Sequence, residues 1–548
     1  MEKRASEIIK LFEREQYGSA NFRSLWQSTA KWISPRHDQI TAISTPGAEK
    51  MGDIYDSSGI QAALSMASAL SAAFIPPNQK FFELIPQDSR LYENDDVASY
   101  LSIATEIAHL KMFRSNFMVQ INETLLEDIV FGTCNLYTEY DTRNRCLNYR
   151  CWPIGSYEIL ENNHGNVDTV MIKWSMPAYQ WEQQFVVEMG LPHDKLGPSI
   201  LKALSDEKTR YDEFECIHFV GPRPNRNRRL SDSRNMKFRS EYVNVKDGVI
   251  VDEGGWKRMR YAVARWMKAP SEKWGRGQGT EGLCDVRYIN KLKEGLIDVV
   301  NKYGNPPREI LDSFEGDYDV RPGAHNKVQV IPSSRVSDFG SAGAFPVTKE
   351  QYEFQFKQIG EVFFKNIFAP LQNLTGDRRT TLEIYERIKE SLRQIGVPVM
   401  RTWAELFTPV IENSVLDLIA WGEIPPPPEE LPGFEVEYMG ELALALRNQQ
   451  AKGFQQFAGF LSDMSQMIPE APDFLDANDA IPDMARSFGV KEEHIATEEE
   501  RVEKRKVRQA EKQAIMMAQA AQVAGGAYKD TSKKAEEGSL ADKVLAGV

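Results

Sequence analysis

The chain has no G-x-x-x-x-G-K-[ST] segment, so no phosphate-cradling loop of the P-loop type is encoded and an ATPase of that type is unsupported. Neither H-E-x-x-H nor G-x-S-x-G occurs, and only seven histidines are available for acid/base work. The cysteines, Cys134, Cys146, Cys151, Cys216 and Cys284, are odd in number and form no C-x-x-C pair. This excludes a disulfide framework or a zinc site and is typical of a reduced, cytosolic chain. A membrane-spanning run is missing too: Ile60 to Pro76 is uncharged but contains Gln61, Ser65, Ser68 and Ser71 and falls short of the roughly 20 residues a bilayer needs. A buried small-residue helix is expected there. The opening MEKRASEIIKLFERE lacks the apolar core and cleavage site of a secretion signal. Net positive charge is also missing: 79 acidic residues outnumber 66 Lys and Arg, for a formal net charge of −13. A protein whose task is to grip DNA phosphates is basic over at least one domain, whereas a conduit that must let a polyanion slide gains from like charge.

What is present is enough apolar material to fold, 42% hydrophobic against 26% charged, in 548 residues that call for several packed modules. Residues 96 to 131 read as helical through Leu101, Ile107, Met112, Phe117, Ile121, Leu125 and Ile129. β-like runs follow at Cys134 to Tyr140, Tyr157 to Leu160 and Thr169 to Trp174, with a turn at Asn162-Asn163-His164-Gly165. The fold class is therefore α+β. An amphipathic helix runs through Ile289, Leu292, Leu296, Val299 and Tyr303 and ends at Gly304 and Pro306. A β-like stretch at 308 to 332 precedes a returning helix from Lys349 to Phe368, stopped by Pro370. After the polar loop LQNLTGDRR, Thr380 and Glu383 form a capping box for a third helix. A fourth, through Trp403, Leu406, Phe407, Val410 and Ile411, contains Pro409, and a kink is expected there. Pro425 to Pro428 mark a boundary, beyond which the chain reads as mostly helical to Val523, followed by a disordered tail.

Three constellations invite a chemical reading. Gly277, Gly279 and Gly282 satisfy G-x-G-x-x-G, but the polar KAPSEKW stands where a dinucleotide site needs a buried strand, and position 302 is Lys rather than acidic. Arg223, Arg226, Arg228 and Arg229 form the strongest basic cluster of the first half. It suits an exposed loop, an intersubunit carboxylate or a nucleic-acid phosphate. No paired-carboxylate motif stands out among the many acidic residues, so a divalent-metal nuclease, the alternative from a different class, starts poorly supported. A monomeric or filamentous scaffold is a third reading.

The segment DIYDSSGIQAALSMASALSAAFIPPNQKFFEL (53 to 84) resembles the amino-terminal signature of the portal, or head-to-tail connector, proteins of short-tailed double-stranded DNA bacteriophages. FGTCNLYTEYD (131 to 141) resembles that family's glycine-marked strand, and PIGSYEILENNHGNVDTVMIKWSMPAYQ (153 to 180) its strand-turn-strand unit. YAVARWMKAPSEKWGRGQGTEGLCDVRYINKL (261 to 292) is similar to its most recognisable block, where the turn Trp274, Gly275, Arg276, Gly277 precedes the first stem helix. GDRRTTLEIYERIKESLRQIGVPVMRTWAELFTPVIENSVLDL (376 to 418) resembles its threonine-started helix and Pro-containing successor. The chain departs from the family in having Arg379-Thr380-Thr381 for the usual Met-Thr-Ala, and Gln278 where Pro is common.

The resemblance implies a phage portal fold assembled as a ring: an α/β wing at 1–284, stem helix 1 at 285–304, a clip at 305–346 and stem helix 2 at 347–369. It further implies a tunnel loop at 370–380, wing helices at 381–432, a helical crown at 433–523 and a disordered tail at 524–548. The implied role is structural rather than enzymatic, without a cofactor: a twelve-fold channel at one capsid vertex for packaging and ejection of double-stranded DNA. Implied partners are the terminase large subunit, the major capsid and scaffolding proteins, and tail adaptor or nozzle proteins, with no membrane. The expected location is the virion, after assembly in the host cytoplasm. Candidate DNA-facing residues are Asn373, Arg378 and Arg379 in the tunnel loop and Lys293, Lys302, Lys357 and Lys365 on the stem.

Overall fold

The computed structural model of the chain describes residues 2–37, 39–41, 47–76, 80–88, 90–91, 94–227, 229–230, 232–304, 344–365, 395–439, 460–461, 501, 504–508, 510 and 512–516. Two compact units divide it, Met1–Ala443 and Leu444–Val548. The described residues of the second are helical. The sheets belong to the first.

Two amphipathic helices, α1 (Glu2–Gly18) and α2 (Ala20–Ile33), open the first unit. The uncharged stretch forms α3 (Ser58–Phe74), which buries Gly59, Ala63, Met66, Ala67, Leu70 and Phe74 at helical spacing and is a core helix. Strand β1 (Phe82–Pro86) follows. The periodic stretch expected as one helix at 96–131 is two, α4 (Asp95–Arg114) and α5 (Phe117–Phe131). The α4 N-terminus is capped by the Asn94 side chain, which accepts from the Asp96 and Val97 N–H groups, with Asp95 and Asp96 against the positive end of the helix dipole. Its end comes at Ser115, whose backbone turns extended, and the next residue, Asn116, uses its side chain on a distant strand. Its Nδ2 donates to the Tyr149 carbonyl at 2.7 Å and its Oδ1 accepts from the Tyr149 N–H at 2.9 Å. The apolar spacing continues across the break, so periodicity alone does not register it.

From the α5 terminus the chain enters β2 (Thr133–Asp141), β3 (Cys146–Cys151), β4 (Tyr157–Glu161) and β5 (Val167–Pro177), joined at 162–165 by the expected turn, with Gly165 at φ +78°. Short helices α6 (Ala178–Trp181) and α7 (Pro198–Leu204) precede β6 (Glu213–Pro222), β7 (Phe238–Asn244), β8 (Val249–Trp256) and β9 (Tyr261–Arg265). β4 to β8 form an antiparallel meander in chain order, while β2 lies between β3 and β9 in a second sheet.

Strand alternation sorts the meander's two faces. Phe214 and Cys216 of β6 join Tyr242, Val251, Trp181, Phe185 and Ile200 on one side. Ile217 and Phe219 join Met171, Val243 and Ile250 on the other, covered by Ala5, Ile8 and Phe12 of α1.

Helices α8 (Gln278–Glu281), α9 (Leu283–Gly304) and α10 (Ala344–Val362) come next. Where a kink at Pro409 is expected, a π-helical turn at Trp403–Phe407 runs into α11 (Thr408–Ala420), with Pro409 in the first turn of α11. Pro409 has no N–H to donate to a preceding carbonyl, and the wider π turn ahead of it leaves room for its ring. Beyond the proline run the mostly helical expectation has one exception among the described residues. Phe434–Tyr438 is strand β10, antiparallel to β1 in the register Phe82↔Tyr438 to Pro86↔Phe434. FEVEY alternates with period two, and its ladder partners lie some 350 residues earlier in the chain, beyond the reach of local reading. The expected clip (305–346) lies outside the described residues up to 343, as do the tunnel loop, the start of the third helix, most of the crown and the tail.

Candidate functional site

Gly132 ends α5 in the left-handed conformation, φ +84°. The segment 275–279 runs directly across this helix end. A Cβ on Gly132 would lie 2.1 Å from the Arg276 carbonyl carbon, one on Gly275 2.0 Å from the Gly132 oxygen, and one on Gly277 2.3 Å from the Ile129 oxygen. Gly279 is similarly pressed on the Val130 oxygen at 2.6 Å. Two backbones can approach this closely only where neither carries a side chain. The contact also satisfies polar groups at the helix end, since Thr280 Oγ1 donates to the Val130 carbonyl at 3.3 Å and the Gly275 N–H donates to Thr133 Oγ1 at 2.9 Å. The Gly-rich segment therefore holds protein backbone where a nucleotide loop would hold phosphate. Trp274 anchors it, buried edge-on against Trp26 at 4.8 Å between ring centres, while Arg276 points outward to Glu272 at 2.7 Å.

A buried ion cluster braces the same region. The Arg265 N–H and guanidinium take both oxygens of Glu405 (3.0 Å from N, 2.7 Å from Nη2), and the guanidinium also binds the Gly165 carbonyl at 3.1 Å and the Glu161 carboxylate, which Lys268 shares. Glu405 sits in the π-helical turn, so Arg265 ties β9 to the β4–β5 turn and to the region before α11. Nearby, Asp128 of α5 is fully buried with one oxygen lacking a hydrogen-bond partner. Burial, with the Glu405 charge adding, pushes its carboxyl up to about 7. His218 is buried between Tyr261 Oη at 2.7 Å and Ser240 Oγ at 2.9 Å, and burial pushes it down to about 3. It is a neutral core residue at pH 7.

The turn leads into α9, which pairs antiparallel with α10. Lys293 meets Tyr352 and Asp285 meets Gln355, so positions rise on one helix as they fall on the other. Their root is fixed by polar contacts. Asn290 Oδ1 accepts the N–H groups of Tyr55 at 2.7 Å and Asp56 at 3.0 Å, and its Nδ2 donates to the Asp53 carbonyl at 3.1 Å. Asp56 in turn accepts from the Ser58 N–H at 2.9 Å and the Tyr352 hydroxyl at 2.7 Å, with Lys293 Nζ at 3.4 Å. Burial raises the Asp56 carboxyl, but these hydrogen bonds and the Lys293 charge outweigh it and hold it below the usual range. Gly59 lets α3 touch α9, a Cβ there lying 2.7 Å from Val286 Cγ2.

The helix pair is only partly covered, beside its root as well as farther along. Tyr288, Ile297 and Val300 of α9 and Phe354 and Phe356 of α10 are exposed, Val300 to 52% and Phe354 to 57%. At 22 residues α9 is about 33 Å long.

The sequence candidates are placed unevenly. Lys293 is engaged at the root, with Asp56 and Tyr352. Lys357 is exposed on α10, and the exposed Lys365 lies just past its end over the Phe356 ring at 5.3 Å. Lys302 lies in the last turn of α9 with its side chain outside the described residues, where Asn373, Arg378, Arg379 and Arg228 also lie. Arg223 donates to the Gly254 carbonyl at 2.8 Å, Arg226 lines a cleft with it, and Arg229 is exposed. Sequence reading missed the Arg265 cluster, Asp128 and the Asn290 clasp. A lone Arg in an apolar strand, YAVAR, was the available signal for the first. Among the described residues no three His, Cys, Asp or Glu side chains gather to hold a metal, and no helix is long and apolar enough to cross a membrane.

These features define an α+β protein organised around a rigidly rooted antiparallel helix pair. The chain belongs to the family described as bacteriophage head to tail connecting protein, whose model matches residues 5–495. It is 24% identical over 534 residues to the "Probable portal protein" of Bordetella phage BPP-1, covering 94% of each chain. It is likewise 24% identical over 531 residues to the "Portal protein" of Salmonella phage epsilon15, covering 94% of this chain and 93% of that one. Among solved structures, the neck of an empty gene transfer agent particle is similar with a TM-score of 0.35 at 10% identity, over 77% of this chain and 91% of that one.

Proposed function

We propose that the chain is one subunit of a twelve-fold portal ring at a single capsid vertex, through which double-stranded DNA is packaged and later ejected. The observation that carries this is the α9–α10 pair, clasped at one end by the glycine turn, Asn290 and Asp56, with apolar side chains left exposed along its free faces. An isolated subunit gains nothing from leaving Val300 and Phe354 in water, whereas neighbouring copies in a ring bury them. Portal proteins from two phages match over nearly the whole chain, which supports the same reading.

In this reading the pair is the stem, residues 305–346, whose last three already belong to α10, are the clip that docks the terminase large subunit and then tail adaptor or nozzle proteins, and the sheet-rich part is the wing that meets the major capsid and scaffolding proteins. The subunit is a passive or valving conduit and not an enzyme, since translocation work requires a separate ATPase. The net charge of −13 per chain keeps DNA from sticking to the wall. Arg378, Arg379 and Asn373, with Lys302, Lys357 and Lys365, supply the few contacts that brake it, and Lys293 sets the stem root. The virion is its final location, after assembly in the host cytoplasm.

Native mass followed by negative-stain electron microscopy tests this. Closed twelve-fold rings with a central hole are expected, and Val300→Asp is expected to shift the population toward monomer. A monomer that hydrolyses ATP, or cuts DNA when given magnesium, would overturn it.

A further inference from the structure

The meander carries a basic cleft that the conduit reading does not use. It measures about 580 Å³, within the range of sites that hold small ligands or a few side chains, and is lined by Leu11, Leu160, Phe219, Arg223, Arg226, Lys237 and Arg239 among others. The hairpin register creates it: Gly221 pairs with Arg239 and Pro222 with Phe238, which brings the loop after β6 beside the start of β7. A glycine keeps it open, since a Cβ on Gly221 would meet the Phe219 ring at 2.8 Å and Thr169 Oγ1 at 3.1 Å.

Its floor is apolar and its wall cationic. The Arg239 guanidinium lies 4.4 Å from the Phe219 ring, and the Nε atoms of Arg239 and Arg223 are buried without hydrogen-bond partners. Two nearby carboxylates face Arg4: Glu241 is bound by it through one oxygen, and Glu253 by Arg4 at 2.8 Å and Arg223 at 3.6 Å. Arg226 and Lys237 have no ion-pair partner among the described residues. Burial and the charges of Arg4 and Arg223 outweigh the opposing Glu241 and Glu7, so that Arg239 is held below its ordinary range and an incoming anion is favoured.

We infer that this cleft docks an acidic protein segment, one that sets an apolar side chain on Leu11, Leu160 and Phe219 and carboxylates on Arg226, Lys237 and Arg239. Charge complementarity selects the partner, because a basic hollow on a chain of net charge −13 is a local exception and faces ligands of opposite sign. The apolar floor selects against duplex DNA, whose outer surface is phosphate and sugar and has no apolar knob to insert. The inference does not depend on ring formation.

Fluorescence anisotropy of a fluorescein-labelled peptide, Gly-Glu-Phe-Asp-Leu-Glu-Gly, titrated with the full-length protein tests it, beside a counterpart with Gln and Asn for Glu and Asp. The acidic peptide is expected to bind at least tenfold more tightly than the neutral one, with affinity falling as salt rises. The double variant Arg226→Glu and Lys237→Glu is expected to lose at least tenfold while melting like the unaltered protein, and Leu11→Gln to lose several-fold. Equal binding of the two peptides overturns the proposal, as does displacement of the acidic peptide by a 20-base-pair duplex or by millimolar inorganic phosphate alone. Failure of the acidic peptide to bind overturns it too.

Discussion

Gly277→Ala tests the claim that the Gly-rich segment exists for backbone contact. Gly277 has φ −98°, a conformation alanine adopts freely, so the substitution introduces no backbone strain of its own. Its Cβ, however, would lie 2.3 Å from the Ile129 oxygen, 2.7 Å from the Gly132 nitrogen and 2.9 Å from the Asp128 oxygen. Carbon and oxygen tolerate little less than 3 Å, so the turn or the end of α5 must shift by something under 1 Å. All three obstacles are backbone of one helix terminus, with no flexible side chain to yield. Overpacking of this kind costs about 1–3 kcal/mol, and a rigid obstacle places it at the upper end. Gly254→Ala is the matched control, with its nearest atoms at 3.8 and 3.9 Å, and is expected to stay within about 1 kcal/mol of the unaltered chain. Urea denaturation followed by tryptophan fluorescence reads both, since Trp274 and Trp26 meet edge-on at the turn. If Gly277→Ala and Gly254→Ala unfold at the same urea concentration, the close-contact argument is wrong.

Two further predictions concern charge. Asp128 titrates near 7 in the folded chain against an ordinary value near 4, so the native state holds its proton where the unfolded state releases it, and stability falls as pH rises from 4 to 7. Three units correspond to at most about 4 kcal/mol, fully lost above pH 7. Asp128→Asn should therefore gain on the unaltered protein across that window and hold its advantage at pH 8, and a pH-independent gap in melting temperature would count against it. Arg265→Leu removes the cation that Glu161 and Glu405 share, leaving Lys268 beside Glu161 and Arg401 near Glu405, and is expected to cost about 1.5–3 kcal/mol in denaturation. Arg265→Lys should recover little of this because an ammonium cannot take both Glu405 oxygens while reaching Glu161, and full recovery would show that charge alone suffices.

Local pattern gave away much of the architecture. The spacing of Ile289, Leu292 and Leu296 marks α9, Gly304 its end, the uncharged run a buried α3, and the strands with the Asn162–Gly165 turn two rungs of the meander. Each depends on interactions within a few residues, which is where sequence periodicity carries information. The ordered run of family-like blocks from Asp53 to Leu418 pointed to the head-to-tail connector family for the same reason, being itself a pattern along the chain.

Tertiary structure alone decided the rest. It broke the 96–131 helix at Ser115, because Asn116 reaches Tyr149 some thirty residues away. It made β10 a strand, because its partner is β1. It turned three glycines into a crossing of backbones over α5, drew Lys293 into a contact with Asp56 and Tyr352, and gathered Arg223 and Arg226 with Lys237 and Arg239 into one cleft. Periodicity records which face of an element avoids water. It does not record which distant element covers that face, and the close contacts that give a glycine or a charge its meaning come into being only when the chain has folded.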